Sequence, residues 1–208
     1  MDLSKKTIRH DKARASAVQA LVQLAAKHPP EDITMTQIAA AMGLTQRALF
    51  RSFLNKDVIE KALIEWIYEI IKEQNERLSN SVESPLLILK GLFYANIHFL
   101  DSSPGILRIL IHELNKPQTT PLKKEICKFF ISYTGYLEIV IEQGKHTNEI
   151  LHQINTRGAA IQFISAIHGL LLQVSIGYTD QKDIMPSIAE YWDIFERSLR
   201  VVKNFNAQ

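Results

Sequence analysis

The sequence predicts an all-α protein. Apolar residues recur at three- and four-residue steps through most of the 208 residues, and no run alternates apolar and polar as a half-buried strand does. Pro, Gly and Ser/Asn clusters cut the chain into pieces of helical length. The expected architecture is about nine helices. Three make a small N-terminal bundle, and a fourth joins it to a larger helical body.

Each element has its own signal. Ala17, Val18, Leu21, Leu24 and Ala25 mark one face of a first helix, which "KHPPED" ends because two prolines forbid continuation. Thr34 opens a short second helix as a T-x-x-Q capping box with Gln37, and Ile38, Ala39 and Met42 give it an apolar side. Gly43 sits where a helix leaves through a left-handed residue. Thr45 is an N-cap for a third helix over 45–53, whose Leu49 and Phe53 lie one turn apart. Asn55 caps a fourth helix that runs to about Leu78 through Ile59, Ala62, Leu63, Trp66, Ile67, Ile70 and Ile71.

After "SNSVES" one helix covers about 84–100, and the break at Ser102, Ser103, Pro104 and Gly105 separates it from a short one over about 105–115. "NKPQTTP" precedes a long helix through Phe129, Phe130, Tyr133, Leu137 and Ile141 that ends near Gly144. Two more span about 150–176 and 183–205, with "GYTDQKD" between them. No internal repeat is present. The expected domains are 1–56 and 57–208, with a linking helix over about 56–78.

A hydrophobic content of 46% supports a real core for one or two domains. The net charge of +2 hides a division along the chain. Residues 1–56 carry nine Lys/Arg against four Asp/Glu, while the remainder carries fifteen against eighteen. A basic first quarter on a mildly acidic remainder points to a polyanion at one end only.

The stretch "MGLTQRALFRSFLNK", residues 42–56, concentrates that charge. Two short helices joined by a tight turn at Gly43 make a helix-turn-helix, in which the second helix enters the major groove of DNA. With Leu49 and Phe53 inward, Gln46, Arg47, Phe50 and Arg51 project elsewhere. The Arg47 guanidinium fits guanine O6 and N7 as a bidentate fork, and Gln46 fits adenine N6 and N7. Ala48 is small enough to approach a thymine methyl, and Thr45 and Lys56 suit phosphates.

The spacing of "DITMTQIAAAMGLTQRALFRSFLNKDVIEKAL" resembles the N-terminal domain of the TetR (tetracycline repressor) family of bacterial transcription regulators. That pattern is T-x-x-x-I-A, then G-(V/L)-(S/T)-x-x-x-L-Y-x-x-F, then a lysine and an acid. Here it falls on Thr34, Ile38, Ala39, Gly43, Leu44, Thr45, Leu49, Phe50, Phe53, Lys56 and Asp57, within a match over about 8–70. The resemblance implies DNA contacts at Thr36, Thr45, Gln46, Arg47, Ala48, Phe50, Arg51, Ser52 and Lys56. It departs at Phe50, where the family usually has a tyrosine whose hydroxyl meets a phosphate, and at Ser52, which replaces a commonly larger residue.

The resemblance further implies a ligand-responsive repressor that binds a palindromic double-stranded operator as a homodimer through its last two helices. On the eighth helix that surface would use Gly158, Ala159, Ala160, Phe163, Ala166, Ile167, Gly169 and Leu170. On the ninth it would use Ile184, Ile188, Tyr191, Trp192, Phe195, Leu199 and Val202. The family's body encloses an unknown small-molecule effector, with Trp66, Phe93, His98, Phe99, His112, Phe130, Gln162, Ser165 and His168 as candidate lining. Glu113 is a candidate partner for a cationic ligand.

The alternative is a helical small-molecule-binding protein or an enzyme without a DNA-regulatory role. The seven histidines lack H-x-x-x-H and H-E-x-x-H spacing, and no G-x-S-x-G, Walker or dinucleotide glycine pattern occurs. No enzyme activity, metal or cofactor is therefore expected. Cys127 is the one cysteine, which excludes an intramolecular disulfide and reads as a small buried hydrophobe. The first residues lack the apolar stretch of a secretion signal. Runs such as "GLLLQVSIG" at 169–177 fall short of the roughly 20 residues that span a bilayer. A cytoplasmic protein is expected.

Overall fold

The computed structural model describes residues 3–175 and 181–200, with side chains over 12–173 and 187–200. Among the described residues nine α-helices form and no strand does. They are α1 (Leu3–Ala25), α2 (Met35–Ala41), α3 (Gln46–Phe50), α4 (Lys56–Ser81), α5 (Pro85–Asp101), α6 (Pro104–Asn115), α7 (Pro121–His146), α8 (Thr156–Ser175) and α9 (Gln181–Leu199). A single 3-10 turn, Pro30–Asp32, follows α1 where the prolines stop it.

Two expected boundaries move. The third helix ends at Phe50 rather than 53, and the eighth begins at Thr156 rather than 150. Ahead of α8, Ile150 makes an isolated antiparallel bridge with Arg200, and Asn155 caps the helix by accepting from Gly158 N–H at 2.7 Å. The backbone at 150 bonds to the end of α9 (Leu151 N–H to Leu199 O, 2.8 Å) instead of starting a helix. Residues 201–205, expected as helix, lie outside the described residues.

The contacts divide the chain into two compact units. The first takes Met1–Ile71 and Leu100–Phe129, and the second takes Lys72–Phe99 and Phe130–Gln208. In the first, α6 packs on α1 and on the 3-10 turn. Gly105 makes this approach possible, since a Cβ there would fall 2.0 Å from Val22 O. Its core includes Ala17, Leu21, Ile38, Leu49, Ile59, Leu63, Ile106 and Ile126, all nearly inaccessible. Most residues of the expected apolar faces of α1 to α4 are buried, while Leu24, Met42, Trp66 and Ile70 are half-buried.

The second unit is built around aromatic rings. Phe93 meets Phe163 edge-on with centroids 5.5 Å apart and Trp192 at 5.7 Å, and Phe195 closes the group against Phe163 and Trp192. The Trp192 indole N–H, buried with its ring, donates to Glu196 Oε2 at 2.6 Å, so no donor is stranded. Asn96 and Tyr133 form a second buried polar pair, Asn96 Nδ2 donating to Tyr133 Oη at 2.7 Å. Burial pushes the Tyr133 hydroxyl above its ordinary range.

Candidate nucleic-acid interface

The segment 34–58 is held by local hydrogen bonds that its own residues supply. Thr34 caps α2 in a closed box: Gln37 N–H donates to Thr34 Oγ1 at 3.3 Å, and Thr34 N–H donates to Gln37 Oε1 at 2.7 Å. At the other end Gly43 has φ +68°. Its N–H bonds to Ala40 O at 3.0 Å and that of Leu44 to Ala39 O at 2.8 Å, a Schellman termination that satisfies two orphan carbonyls. Thr45 then caps α3 by accepting from Ala48 N–H at 3.2 Å, and Asn55 caps α4 by accepting from Val58 N–H at 3.1 Å.

α3 is short, yet its anchor survives. Phe53 N–H still donates to Leu49 O at 3.0 Å, so the turn after α3 keeps Phe53 one helical step beyond Leu49. Both are buried, at 1% and 3% exposure. The opposite side is open: Gln46, Arg47, Phe50, Arg51 and Ser52 are exposed, as are Thr36 and Thr45, and Ala48 is half-buried. Chemically, this is a cationic and amide-bearing edge held rigidly from behind. Guanidinium forks and amides are the groups that read base edges.

Lys56, expected at a phosphate, is half-buried. Its ammonium donates to Pro30 O at 2.7 Å and stands 3.6 Å from Glu60. It therefore ties the start of α4 to the 3-10 turn 26 residues earlier. One feature was missed in the sequence. Leu54 is 79% exposed beside the reading edge, and with Leu44 and Phe50 it gives that edge an apolar rim. The available signal is its position directly after Phe53, off the period that Leu49 and Phe53 set.

The candidate effector residues divide between the two units. Trp66 and His112 belong to the first unit and the other seven to the second. Trp66 lines a groove of about 400 Å³ with Arg14, Val18 and Glu69, and His112 Nδ1 stands 3.1 Å from Glu31. Phe93 is spent in the aromatic core, while His98, Gln162 and Ser165 are exposed and Phe99 is half-buried. Phe130 and His168 do meet, edge-on at 5.2 Å, and burial holds the His168 imidazole below its usual pKa.

Glu113 is closed to an outside cation. It is 2% exposed and accepts from Lys116 Nζ at 2.5 Å and from Thr120 Oγ1. Burial alone would raise its carboxyl, but those two donors and the Lys116 charge outweigh burial and hold it below the ordinary value. Cys127, expected to be buried, is exposed on α7.

Of the residues expected at a dimer surface, Ala159, Ala160, Phe163, Ile167 and Leu170 of α8 and Ile188, Trp192, Phe195 and Leu199 of α9 are core of this chain. The side chains of Ile184 and Val202 lie outside the described residues. Gly158 stays exposed, and Ala166, Gly169 and Tyr191 stay half-exposed. On α8 a stripe at three- and four-residue steps stays open: Gly158, Ile161, Gln162, Ser165, Gly169 and Leu172. Ile161 is 49% exposed, Leu172 46%, and Ile194 of α9 68%.

A capped helix, a left-handed glycine turn and a second capped helix with a cationic outer edge define a helix-turn-helix protein. Solved structures share the whole fold. A TetR transcriptional regulator from Chloroflexus aurantiacus superposes with a TM-score of 0.77 at 14% identity, covering 96% of this chain and 100% of that one. The regulator FadR from Bacillus subtilis, in complex with stearoyl-CoA, gives 0.77 at 17% identity over 88% and 98%. In sequence, the chain is 27% identical over 180 residues to the nucleoid occlusion factor SlmA of Alteromonas mediterranea, covering 86% of this chain and 84% of that protein. No family model matches the sequence. In fold, the chain is similar to TetR-family transcriptional regulators.

Proposed function

We propose that this protein is a sequence-specific DNA-binding transcriptional regulator. It binds a near-palindromic operator as a homodimer and represses until a small-molecule effector releases it. The observation that carries the reading is the exposed edge of Gln46, Arg47, Phe50 and Arg51 on a helix pinned by buried Leu49 and Phe53. Residues 1–56 are the DNA-binding domain and 57–208 the effector and dimerisation domain. The protein works in the cytoplasm, at the nucleoid.

The open stripe on α8 with Ile194 of α9 supports a two-fold interface through the last two helices, because small residues at its centre allow close helix approach. Gln162 and Ser165 then belong to that interface rather than to an effector pocket. An effector shifts operator affinity only by binding the two geometries unequally.

Selection of bound fragments from random DNA tests the reading. Two inverted half-sites are expected, about 10–10.5 base pairs apart centre to centre or a multiple of that. Recovery of unrelated sequences with equal affinity overturns it.

The relatives named nucleoid occlusion factor support a second reading, in which the protein occupies chromosomal sites without controlling genes. Transcript levels beside the bound sites separate the two. A change on deletion supports gene control, and none supports the second reading.

A further inference from the structure

Large apolar side chains stay exposed around the helix-turn-helix. Leu44, Phe50, Leu54 and Val58 are all open to solvent, and Leu54, at 79%, is the most exposed large apolar side chain among the described residues. The turn that carries it is fixed on both sides. Phe53 before it is buried and its N–H donates to Leu49 O at 3.0 Å. Asn55 after it accepts from Val58 N–H at 3.1 Å. Leu54 is therefore held out in water by anchored neighbours, at a cost that a covering partner relieves.

The surroundings of Leu54 select that partner. From Met42 to Lys56 the chain holds no Asp or Glu. Arg47 lies three residues before Phe50 and Arg51 three before Leu54, and both are exposed. A second copy seated on this rim across a two-fold axis would set the same guanidiniums against each other, like charge on like. Duplex DNA supplies the opposite charge, and Gln46 and Arg47 on the same edge match its bases. The apolar group that bases present in the major groove is the thymine 5-methyl.

We propose that Leu54 is a specificity-determining residue that packs, beside Phe50, on the 5-methyl of a thymine in each operator half-site. This rests on the DNA-binding reading above and adds to it one base and the side chain that selects it. Cytosine at that place lacks the methyl and presents its polar N4 donor instead, so an aliphatic side chain rejects it. Adenine and guanine offer polar edge atoms there and are rejected for the same reason. Ala48, half-buried on α3, is the rival for a thymine methyl.

Deoxyuridine deletes the 5-methyl and keeps the base pair, so it separates these on the operator recovered by selection. Each half-site thymine is replaced in turn, and the affinity of the full chain is read by fluorescence anisotropy. One thymine position is expected to matter, with about threefold loss from one half-site and about tenfold from both, the scale of one methyl per half-site leaving contact. Leu54→Ser should lose about tenfold on the thymine operator and be indifferent to deoxyuridine at that position. Leu54→Met should retain the deoxyuridine loss, and Arg47→Ala should bind more weakly while retaining it too. Native-like thermal melts establish that the variants fold, and Leu54→Ala replaces Leu54→Ser if the latter does not. An operator whose thymines can all be replaced without loss overturns the proposal. So does a deoxyuridine loss that persists in Leu54→Ser, which would give the methyl to Ala48 or Phe50. Loss of binding to phosphatidylglycerol vesicles in Leu54→Ser, with operator affinity unchanged, overturns it in favour of a lipid surface. A selection that recovers no preferred sequence sinks the operator reading as well, whereas a preferred sequence without methyl dependence sinks the role of Leu54 alone.

Discussion

Arg47 and Lys56 are nine residues apart and carry the same charge, yet their surroundings differ. Arg47 is exposed on α3 with its guanidinium at the reading edge. Arg47→Ala should cost about 1–3 kcal/mol on the preferred operator and relax choice at one base pair. Equal loss on specific and random DNA, measured by competition binding, would argue against base reading. The Lys56 ammonium instead satisfies Pro30 O. Lys56→Ala should therefore lower unfolding free energy by about 1.5 kcal/mol in urea titration, the lower end for a charge-assisted hydrogen bond because the group is partly wet. A variant of unchanged stability that only loses salt-dependent DNA affinity would return Lys56 to the phosphate role. Gly43 is a third case. Its φ of +68° strains any side chain although a Cβ would touch nothing within 4 Å. Gly43→Ala should cost about 1 kcal/mol through backbone conformation alone, and Gly43→Asn less. Equal costs for the two would point to sterics instead.

Among the elements, α3 shows how little regular helix the proposed reading head needs. Five residues suffice because Thr45 caps the front and the Leu49–Phe53 backbone bond carries the anchor past the last helical residue. α7 and α8 meet through Phe130 and His168, and their packing prefers the neutral imidazole. The folded pKa is lowered, so this contribution is complete above the unfolded value near 6.5 and is lost as pH falls below it through the folded pKa. The native chain should thus lose stability as pH falls below about 6.5, in excess of His168→Gln, which cannot titrate. Chemical unfolding of both proteins at pH 7.5 and 5 measures the difference, and parallel losses would assign the slope to other groups.

For the molecule as a whole, one proposed reading head would span only a few base pairs, so operator affinity is expected to depend on pairing. Ile161 and Ile194 are, with Leu172, the large apolar side chains left open at the proposed interface. Ile161→Asp with Ile194→Asp should leave the chain helical but monomeric by sedimentation, because buried unpaired carboxylates are heavily penalised. Operator affinity should then fall by two orders of magnitude or more. A monomer that keeps full affinity would break the link between dimer and operator. A well-folded dimer in the double variant would place the interface elsewhere.

What the sequence determined by itself is whatever depends on near neighbours. Thr34 with Gln37, Gly43 with Ala40, Thr45 with Ala48 and Asn55 with Val58 are all contacts within three residues, and each was legible because short loops close with few alternatives. The Leu49–Phe53 anchor followed from helical period alone. Tertiary structure decided the rest. It took Lys56 to a carbonyl 26 residues away and closed Glu113 with Thr120 across a break between helices. It also chose which face of α8 is core. That helix is apolar on more than one side, so period does not select the buried face, and only packing against α9 and the aromatic cluster does.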